Sequence, residues 1–311
     1  VSASGGTPGG NGRAVGGGGL LVVGEVVTDV VVRHTSAPLH GTDTPARITT
    51  LPGGAGANVA CWAARSGCRD VRLLARAGAD SAAWHRAALR RAGVRPLLGV
   101  DEDAPTGTVV ALVDPSSERT FLTDSGAVLR LSPGEWSPSL LDGAARLHVS
   151  GYLLFAPTSR ATAALALRDA RRRGVPVSVD PASAGFLAGA GAPAFLDLVE
   201  GVDLLLPNAD EARELTGLPD PSDAAAKLSR HAGRVAVTLG DRGVLLAAGG
   251  TVTARVPAAP VGAPVDSTGA GDAFTGGFLA ALIAGADDVS AAAAGCRAGA
   301  EAVALVGGRP V

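Results

Sequence analysis

The chain has 311 residues, 47% hydrophobic and 3% aromatic, and its 27 basic and 29 acidic side chains leave a formal charge of -2. This length suits one large α/β domain or two modest ones, and the near-neutral charge, with no basic block interleaved with aromatics, excludes nucleic acid and membrane as expected partners and leaves a small molecule. Cys61, Cys68 and Cys296 are too few and too irregularly spaced for a disulfide framework or a zinc site, which points to free thiols in a reducing, cytoplasmic setting.

Residues 1–19 are rich in Gly and hold no continuous apolar segment, so they are expected to form a flexible tail, neither signal peptide nor anchor. With no Met even at position 1, the numbering is expected to start after a trimmed end. From residue 20 to 311 the pattern is that of one domain. LLVVG (20–24) predicts a buried strand, 58–66 a helix, VRLLA (71–75) a strand and 82–92 a helix. RLHVS (146–150), VPVSVD (175–180), VDLLLPN (202–208) and RVAVTLG (234–240) predict further strands, with helices over 160–173, 210–215 and 223–231. The Ala-rich 290–305 reads as a final helix. Strands that alternate with helices imply βαβ units and a mostly parallel sheet covered on both faces, an α/β fold. Two stretches break that rhythm, about 30–50 and 106–123, where TGTVVALVD and ERTFL flank a turn-like PSS. They predict a small sheet outside the main one, placed as a lid.

Residue types exclude several chemistries. Lys227 is the single lysine and lies far from any Gly-rich loop, so neither a P-loop nor a protein-kinase lysine is available. The five histidines form no HExxH pair and no metal-ligand spacing, and GxSxG is missing. Structural histidines are the expectation.

Two glycine motifs remain. In VDSTGAGDAFTGGF (265–278), Gly269, Ala270 and Gly271 open an apolar helix whose first N–H groups have no intrahelical acceptor, and the helix dipole adds positive charge there. Small side chains would let a phosphoryl group reach the backbone, and Asp272 would stand where it can take a proton from an attacking hydroxyl. The plain alternative is an N-capping or first-turn acid. In LPGGAGANVACWAARSG (51–67), two glycine pairings precede Asn58, but the dinucleotide spacing fails with Val59 at the third glycine position. A glycine wall ending in an amide suits hydroxyls, with an Asn helix cap as the plain alternative.

With LLLPNADEARELTG (204–217) and VAVTLGDRGVLL (235–246), these motifs resemble, in order, the PfkB family of carbohydrate kinases with its ribokinase-like fold. The resemblance implies ATP and Mg2+ as cofactors and a sugar or nucleoside as acceptor, phosphorylated on a primary hydroxyl. It implies Asp272 as catalytic base and Gly269, Ala270 and Gly271 as anion hole. Asp29, Gly54 and Asn58 correspond to sugar contacts, Asn208 and Glu211 to residues orienting Mg2+ and the phosphates, and Thr238, Gly240, Arg242 and Gly243 to nucleotide positions. Asp266 and the carbonyl of Thr268 correspond to a monovalent-cation (K+) site found in many members, and the lid strands to a homodimer interface in some.

Ribokinase has a lysine where this chain has Ala55, and an acidic sugar contact near HVSGYLLF (148–155); both are absent. The less polar wall makes larger acceptors attractive: an adenosine- or pseudouridine-type nucleoside, or a keto-sugar acid recruiting Arg33, Arg47 or Arg119. A non-catalytic sugar or nucleotide sensor and a dinucleotide-dependent oxidoreductase are the readings outside the kinase class.

Overall fold

The computed structural model describes residues 18–115, 119–262 and 264–310. Most of the tail and both serines of the PSS spacer lie outside them. The first part of the chain forms β1 (Gly19–Val23), β2 (Val27–His34), β3 (Ala46–Gly53), α1 (Ala55–Arg65), β4 (Val71–Gly78), α2 (Ala82–Arg91), β5 (Val94–Asp101), β6 (Gly107–Val113) and β7 (Arg119–Asp124). The middle forms β8 (Ala144–Ser150), α3 (Pro157–Arg173), β9 (Val177–Asp180), α4 (Ala184–Ala190), α5 (Ala192–Val199), β10 (Leu204–Leu205), α6 (Ala209–Thr216) and α7 (Pro221–Leu228). The last part forms β11 (Val235–Thr238), β12 (Val244–Ala248), β13 (Thr251–Val256), α8 (Ala270–Ile283) and α9 (Asp288–Ala302).

Among the described residues, nine strands form one sheet in the order β13-β12-β11-β10-β9-β8-β1-β4-β5. Pairing is parallel from β11 through β5 and antiparallel at β12 and β13. Central β1 explains the continuous apolar runs: Leu21 and Val23 enter one core with Leu147, Val149 and Leu167, while Leu20 and Val22 enter another with Val59, Leu73 and Phe278. Both faces of the strand are buried, so every position is apolar. Helices α3–α7 cover the first face, and α1, α2, α8 and α9 the second. No helix among the described residues is long and apolar enough to cross a membrane.

The second sheet has the order β3-β2-β6-β7. Here β2 pairs antiparallel with β3 and parallel with β6, and β6 pairs antiparallel with β7. Its strands occupy the two segments that break the αβ rhythm.

Several boundaries differ from the sequence reading. Gly19, assigned to the tail by composition, opens β1 and donates to the Gly143 carbonyl at 2.8 Å. The predicted strand 202–208 keeps only Leu204–Leu205, because Pro207 has no N–H for a ladder. Helix α1 begins at Ala55, three residues before the predicted start, so Asn58 lies inside the helix and the cap position is Gly54. The last helix stops at Ala302, short of the predicted 305.

Candidate functional site

In a parallel sheet, ligands gather beyond the carboxyl ends of the strands, where helix N-termini also point. Glu25 follows β1 there, Ser150 ends β8, Asp180 ends β9, and Asn208 and Thr238 stand at the same ends of β10 and β11. The N-termini of α1 and α8 meet at this edge because Trp62, Ala273 and Ala298 pack α1, α8 and α9 together.

Helix α8 starts from Gly269, whose φ of 73° is left-handed; a Cβ there would lie 2.5 Å from Gly308 Cα. Both facts demand glycine. The Ala270 N–H donates to the Ser267 carbonyl at 3.3 Å, and the first intrahelical bond runs from Ala273 N–H to Gly269 at 2.8 Å. The N–H groups of Gly271 and Asp272 thus lack a backbone acceptor among the described residues. Of the expected 269–271, Ala270 N–H is engaged, while Gly269 N–H, like those of Gly271 and Asp272, has no backbone acceptor among the described residues. A Cβ built on Gly271 meets open space, so the approach to these donors is clear.

Asp272 lies in the first turn of α8 but does not cap the helix. Its Oδ2 accepts a 2.8 Å hydrogen bond from Asn58 Nδ2. Asn58 Oδ1 in turn accepts from Arg309 Nε at 3.3 Å, and Arg309 also donates to the Gly53 carbonyl. Neither residue caps its helix; Asp272 is a first-turn acid, as the plain alternative had it, and Asn58 lies inside α1. The segment at 307–309 runs between α1 and α8, held by a 2.9 Å bond from Trp62 Nε1 to the Gly308 carbonyl. Arg309 was not among the residues expected from sequence. It lies in no recognisable motif, and its only signal is an arginine after a glycine pair. Because Arg309 sets which end of the Asn58 amide faces Asp272, Arg309→Ala should lower kcat/KM by about one to two orders of magnitude. Steady-state kinetics, with Arg309→Lys as the partial-rescue control, checks this.

The electrostatics are those of an acidic basin. Burial pushes the Asp272 carboxyl up to about 8, against the Asn58 hydrogen bond and with help from the charges of Asp180, Glu25 and Asp29. Asp29, on β2, is pushed up to about 6 by burial, opposed by Arg309 and reinforced by Asp266. Glu25, Asp180 and Glu211 are all raised by burial; Glu25 adds to the shift of Asp180, and Asp180 and Asp272 to that of Glu211. The Tyr152 phenol is raised too, first by burial and then by these same acids. No arginine or lysine among the described residues pairs with Glu25, Asp180, Glu211 or Asp272. Glu25, Asp180 and Tyr152 escaped the sequence reading, although Asp180 ends a predicted strand at the edge where ligands gather. Next to it, Ala182 holds a left-handed φ of 84° and donates its N–H to Asp180 Oδ1 at 2.9 Å, a strained turn at the basin.

Asn208 and Glu211 hold each other in a capping box at the start of α6. Asn208 N–H and Nδ2 donate to Glu211 at 2.9 and 2.7 Å, and Glu211 N–H donates to Asn208 Oδ1 at 2.9 Å. Asn208 bridges Thr238, whose N–H donates to the Pro207 carbonyl at 3.0 Å. Gly240, Arg242 and Gly243 follow in the turn after β11, with Arg242 exposed. No three His, Cys, Asp or Glu side chains among the described residues are grouped to hold a metal ion directly. A basin of mutually repelling acids without a basic partner nevertheless suits a divalent cation that arrives with phosphate and keeps its waters.

Asp266 and Thr268 stand in the loop before α8. Thr268 N–H donates to Asp266 Oδ1 at 2.8 Å. Arg33 and Arg119, expected as partners of an acceptor carboxylate, instead reach Asp266, at 3.7 and 2.8 Å. Arg47 is exposed on β3. His85 and His148 are fully buried, which pushes them down to about 4 and about 3; they are neutral near pH 7 and structural, His148 bonding Ser178 and His85 bonding Thr28. A cavity of about 570 Å³ lined by Asp142, Arg173 and Pro176 precedes the amino ends of β8 and β9, at the opposite edge of the sheet, away from these residues.

The family profile described as pfkB family carbohydrate kinase matches residues 19–310. A fructokinase of Klebsiella pneumoniae is 34% identical, with 86% of this chain and 85% of that protein covered. In structure, adenosine kinase from Sinorhizobium meliloti matches with a TM-score of 0.86 at 23% identity, covering 95% and 97% of the two chains. An E. coli protein assigned as ribokinase II, solved in complex with ATP and Mg2+, matches with a TM-score of 0.81 at 23% identity over 94% of each chain. The two structural matches establish the shared ribokinase-like fold.

Proposed function

The chain belongs to the PfkB family of carbohydrate kinases, and from that premise we propose that it transfers the γ-phosphoryl group of ATP, as the Mg2+ complex, to a primary hydroxyl of a sugar. The observation that carries this reading is Asp272: a carboxylate with raised proton affinity, oriented by Asn58, beside the free N–H groups at the start of α8. The acceptor oxygen forms the new O–P bond, the bond from the γ-phosphorus to the β–γ bridging oxygen breaks, ADP leaves, and the hydroxyl proton passes to Asp272. Gly271 and Asp272 N–H groups stabilise the charge that spreads over the transferred oxygens. Bound Mg2+ would supply positive charge to the phosphates and to the acidic basin, with Asn208, Glu211 and Asp180 placed to hold its waters. Thr238, Gly240, Arg242 and Gly243 would face the nucleotide, and Asp29, Gly54 and Asn58 the acceptor.

The small sheet acts as a lid in this reading. Arg33, Val113 and Arg119 form one row across β2, β6 and β7, and Val31, Ala111 and Phe121 form the neighbouring row on the same face. Since Arg33 and Arg119 reach Asp266, this face is turned toward the site. Phe121 is 53% exposed on it. That apolar row supports a second reading, a nucleoside acceptor whose base packs under the lid. The opposite face carries Val30, Val32, Ile48, Val110, Leu112 and Leu122, with Ile48 and Leu122 63% and 57% exposed. We assign this face to a homodimer contact. Leu122→Glu should convert a dimer to a monomer in light scattering with melting temperature retained; a wild-type monomer at micromolar concentration would refute it. The free thiols of Cys61, Cys68 and Cys296 suit a cytoplasmic location.

The deciding experiment is ADP release with Mg2+-ATP across pentoses, hexoses, keto-sugar acids and nucleosides, followed by positional analysis of the product. Saturable ADP release with one acceptor class supports the kinase. Ligand binding without ADP formation in a folded protein would favour the sensor.

A further inference from the structure

The side chains around Asp266 do not fit a bound monovalent cation. This carboxylate is 3% exposed and its oxygens are already engaged. Oδ1 accepts from Thr268 N–H at 2.8 Å and meets Arg119 Nη2 at 2.8 Å. Oδ2 accepts from Gly307 N–H at 3.2 Å and faces Arg33 Nη2 at 3.7 Å. Arg119 Nη1 continues to Ser267 Oγ at 2.9 Å. Two guanidinium groups thus bring positive charge to the place where a cation would sit, and a further cation would meet their repulsion.

The origin of these arginines matters. The pairing registers place Arg47, Arg33, Val113 and Arg119 in one row across the small sheet. The charge that neutralises Asp266 is therefore carried by that sheet, whereas Asp266 belongs to the loop that leads, three residues later, into Gly269. Position of the sheet and shape of the loop are joined through the ion pairs that Arg119 and Arg33 make with the buried Asp266 carboxylate. Removing the guanidinium would leave a buried carboxylate uncompensated, a strongly unfavourable state that a small cation could relieve.

We propose that Arg119, with Arg33 in support, takes the place of a monovalent cation at Asp266 and is a positioning residue for the loop that enters α8. This rests on reading the α8 entrance as the phosphoryl site. The chain then works without potassium, and the loop acquires its working shape when the small sheet docks.

The test compares wild type, Arg119→Ala and Arg119→Lys in KCl and in tetramethylammonium chloride of equal ionic strength, with ATP as its Tris salt. Melting temperature and turnover are both measured. Wild type and Arg119→Lys should respond equally to the two salts. Arg119→Ala should lose turnover about tenfold in tetramethylammonium and recover several-fold in KCl, with a melting temperature about 2 °C or more higher in KCl. Potassium activation of the wild type by several-fold overturns the proposal, as does an Arg119→Ala variant indifferent to potassium in both readouts. If no acceptor gives turnover in any variant, the kinase reading fails, and the potassium-dependent melting temperature of Arg119→Ala still decides this inference.

Discussion

Asp272→Asn should lower turnover by about three orders of magnitude, within the range for loss of a positioned general base, while the protein becomes more stable at alkaline pH. The two halves come from one cause. In the folded chain the Asp272 carboxyl is pushed up to about 8 by burial and by Asp180, Glu25 and Asp29, far above the range of an unfolded aspartate. Between about pH 4 and pH 8 the folded state therefore holds a proton that the unfolded state has released, and stability falls as pH rises through that window. Asparagine carries no such proton. The variant should melt a few degrees higher than wild type at pH 8.5, on the order of 1–2 kcal/mol after allowing for residual solvent contact, and equally at pH 4. Scanning calorimetry at the two pH values, beside a turnover assay, checks both halves. A variant that keeps its turnover removes Asp272 as the base. In the unliganded wild type the same shift predicts that kcat/KM rises with pH toward about 8, where the base loses its proton.

Gly271→Val should fold and fail. A Cβ at this position finds no atom within 4 Å, and the backbone is helical with no left-handed requirement, so the substitution meets no steric barrier in the protein itself. The new side chain would stand in the open approach to the Gly271 and Asp272 N–H groups. Blocking such donors costs about two to three orders of magnitude in turnover. Melting temperature should stay within a few degrees of wild type, since loss of a helical glycine offsets the β-branched cost. Nucleotide affinity by calorimetry should fall for ATP more than for ADP, because only ATP carries the γ-phosphoryl group to this spot. Equal affinities and normal turnover would place phosphate elsewhere.

How far the sequence could be read depends on what each residue's neighbours are. Strands such as β1 and β8 were legible because burial on both faces leaves an unbroken apolar run. Strand β5 was not, because Pro96 and Gly99 interrupt it. The structure resolves this by placing β5 at the sheet's edge, where a missing N–H is tolerated. The β12–β13 hairpin also went unread, although Gly249 and Gly250, with φ of 57° and 85°, are the signal of a tight two-residue turn. Helices α4 and α5 lie in an Ala, Gly and Pro stretch with weak periodicity and break at Gly191. In the site, Asp272, Asn58, Asn208 and Glu211 could be named because each sits in a glycine or capping pattern along the chain. Glu25, Asp180 and Arg309 could not, since their chemistry comes from neighbours supplied by other elements. Arg119 and Ser267 are 148 positions apart, and no local pattern encodes the pairing of Arg119 with Ser267 or with the adjacent Asp266.

The Asn58–Asp272 hydrogen bond spans 214 positions, and the bonds from Arg309 to Asn58 and to Gly53 span 251 and 256. A chain emerging from the ribosome can form β1, α1 and most of the sheet long before it possesses either Asp272, the proposed proton acceptor, or Arg309, which bonds its amide partner. Phosphate transfer, and any wasteful hydrolysis of nucleotide by a half-made protein, is thus withheld until the far segments of the polypeptide have closed on one another, a step that pays the entropy of a long loop last.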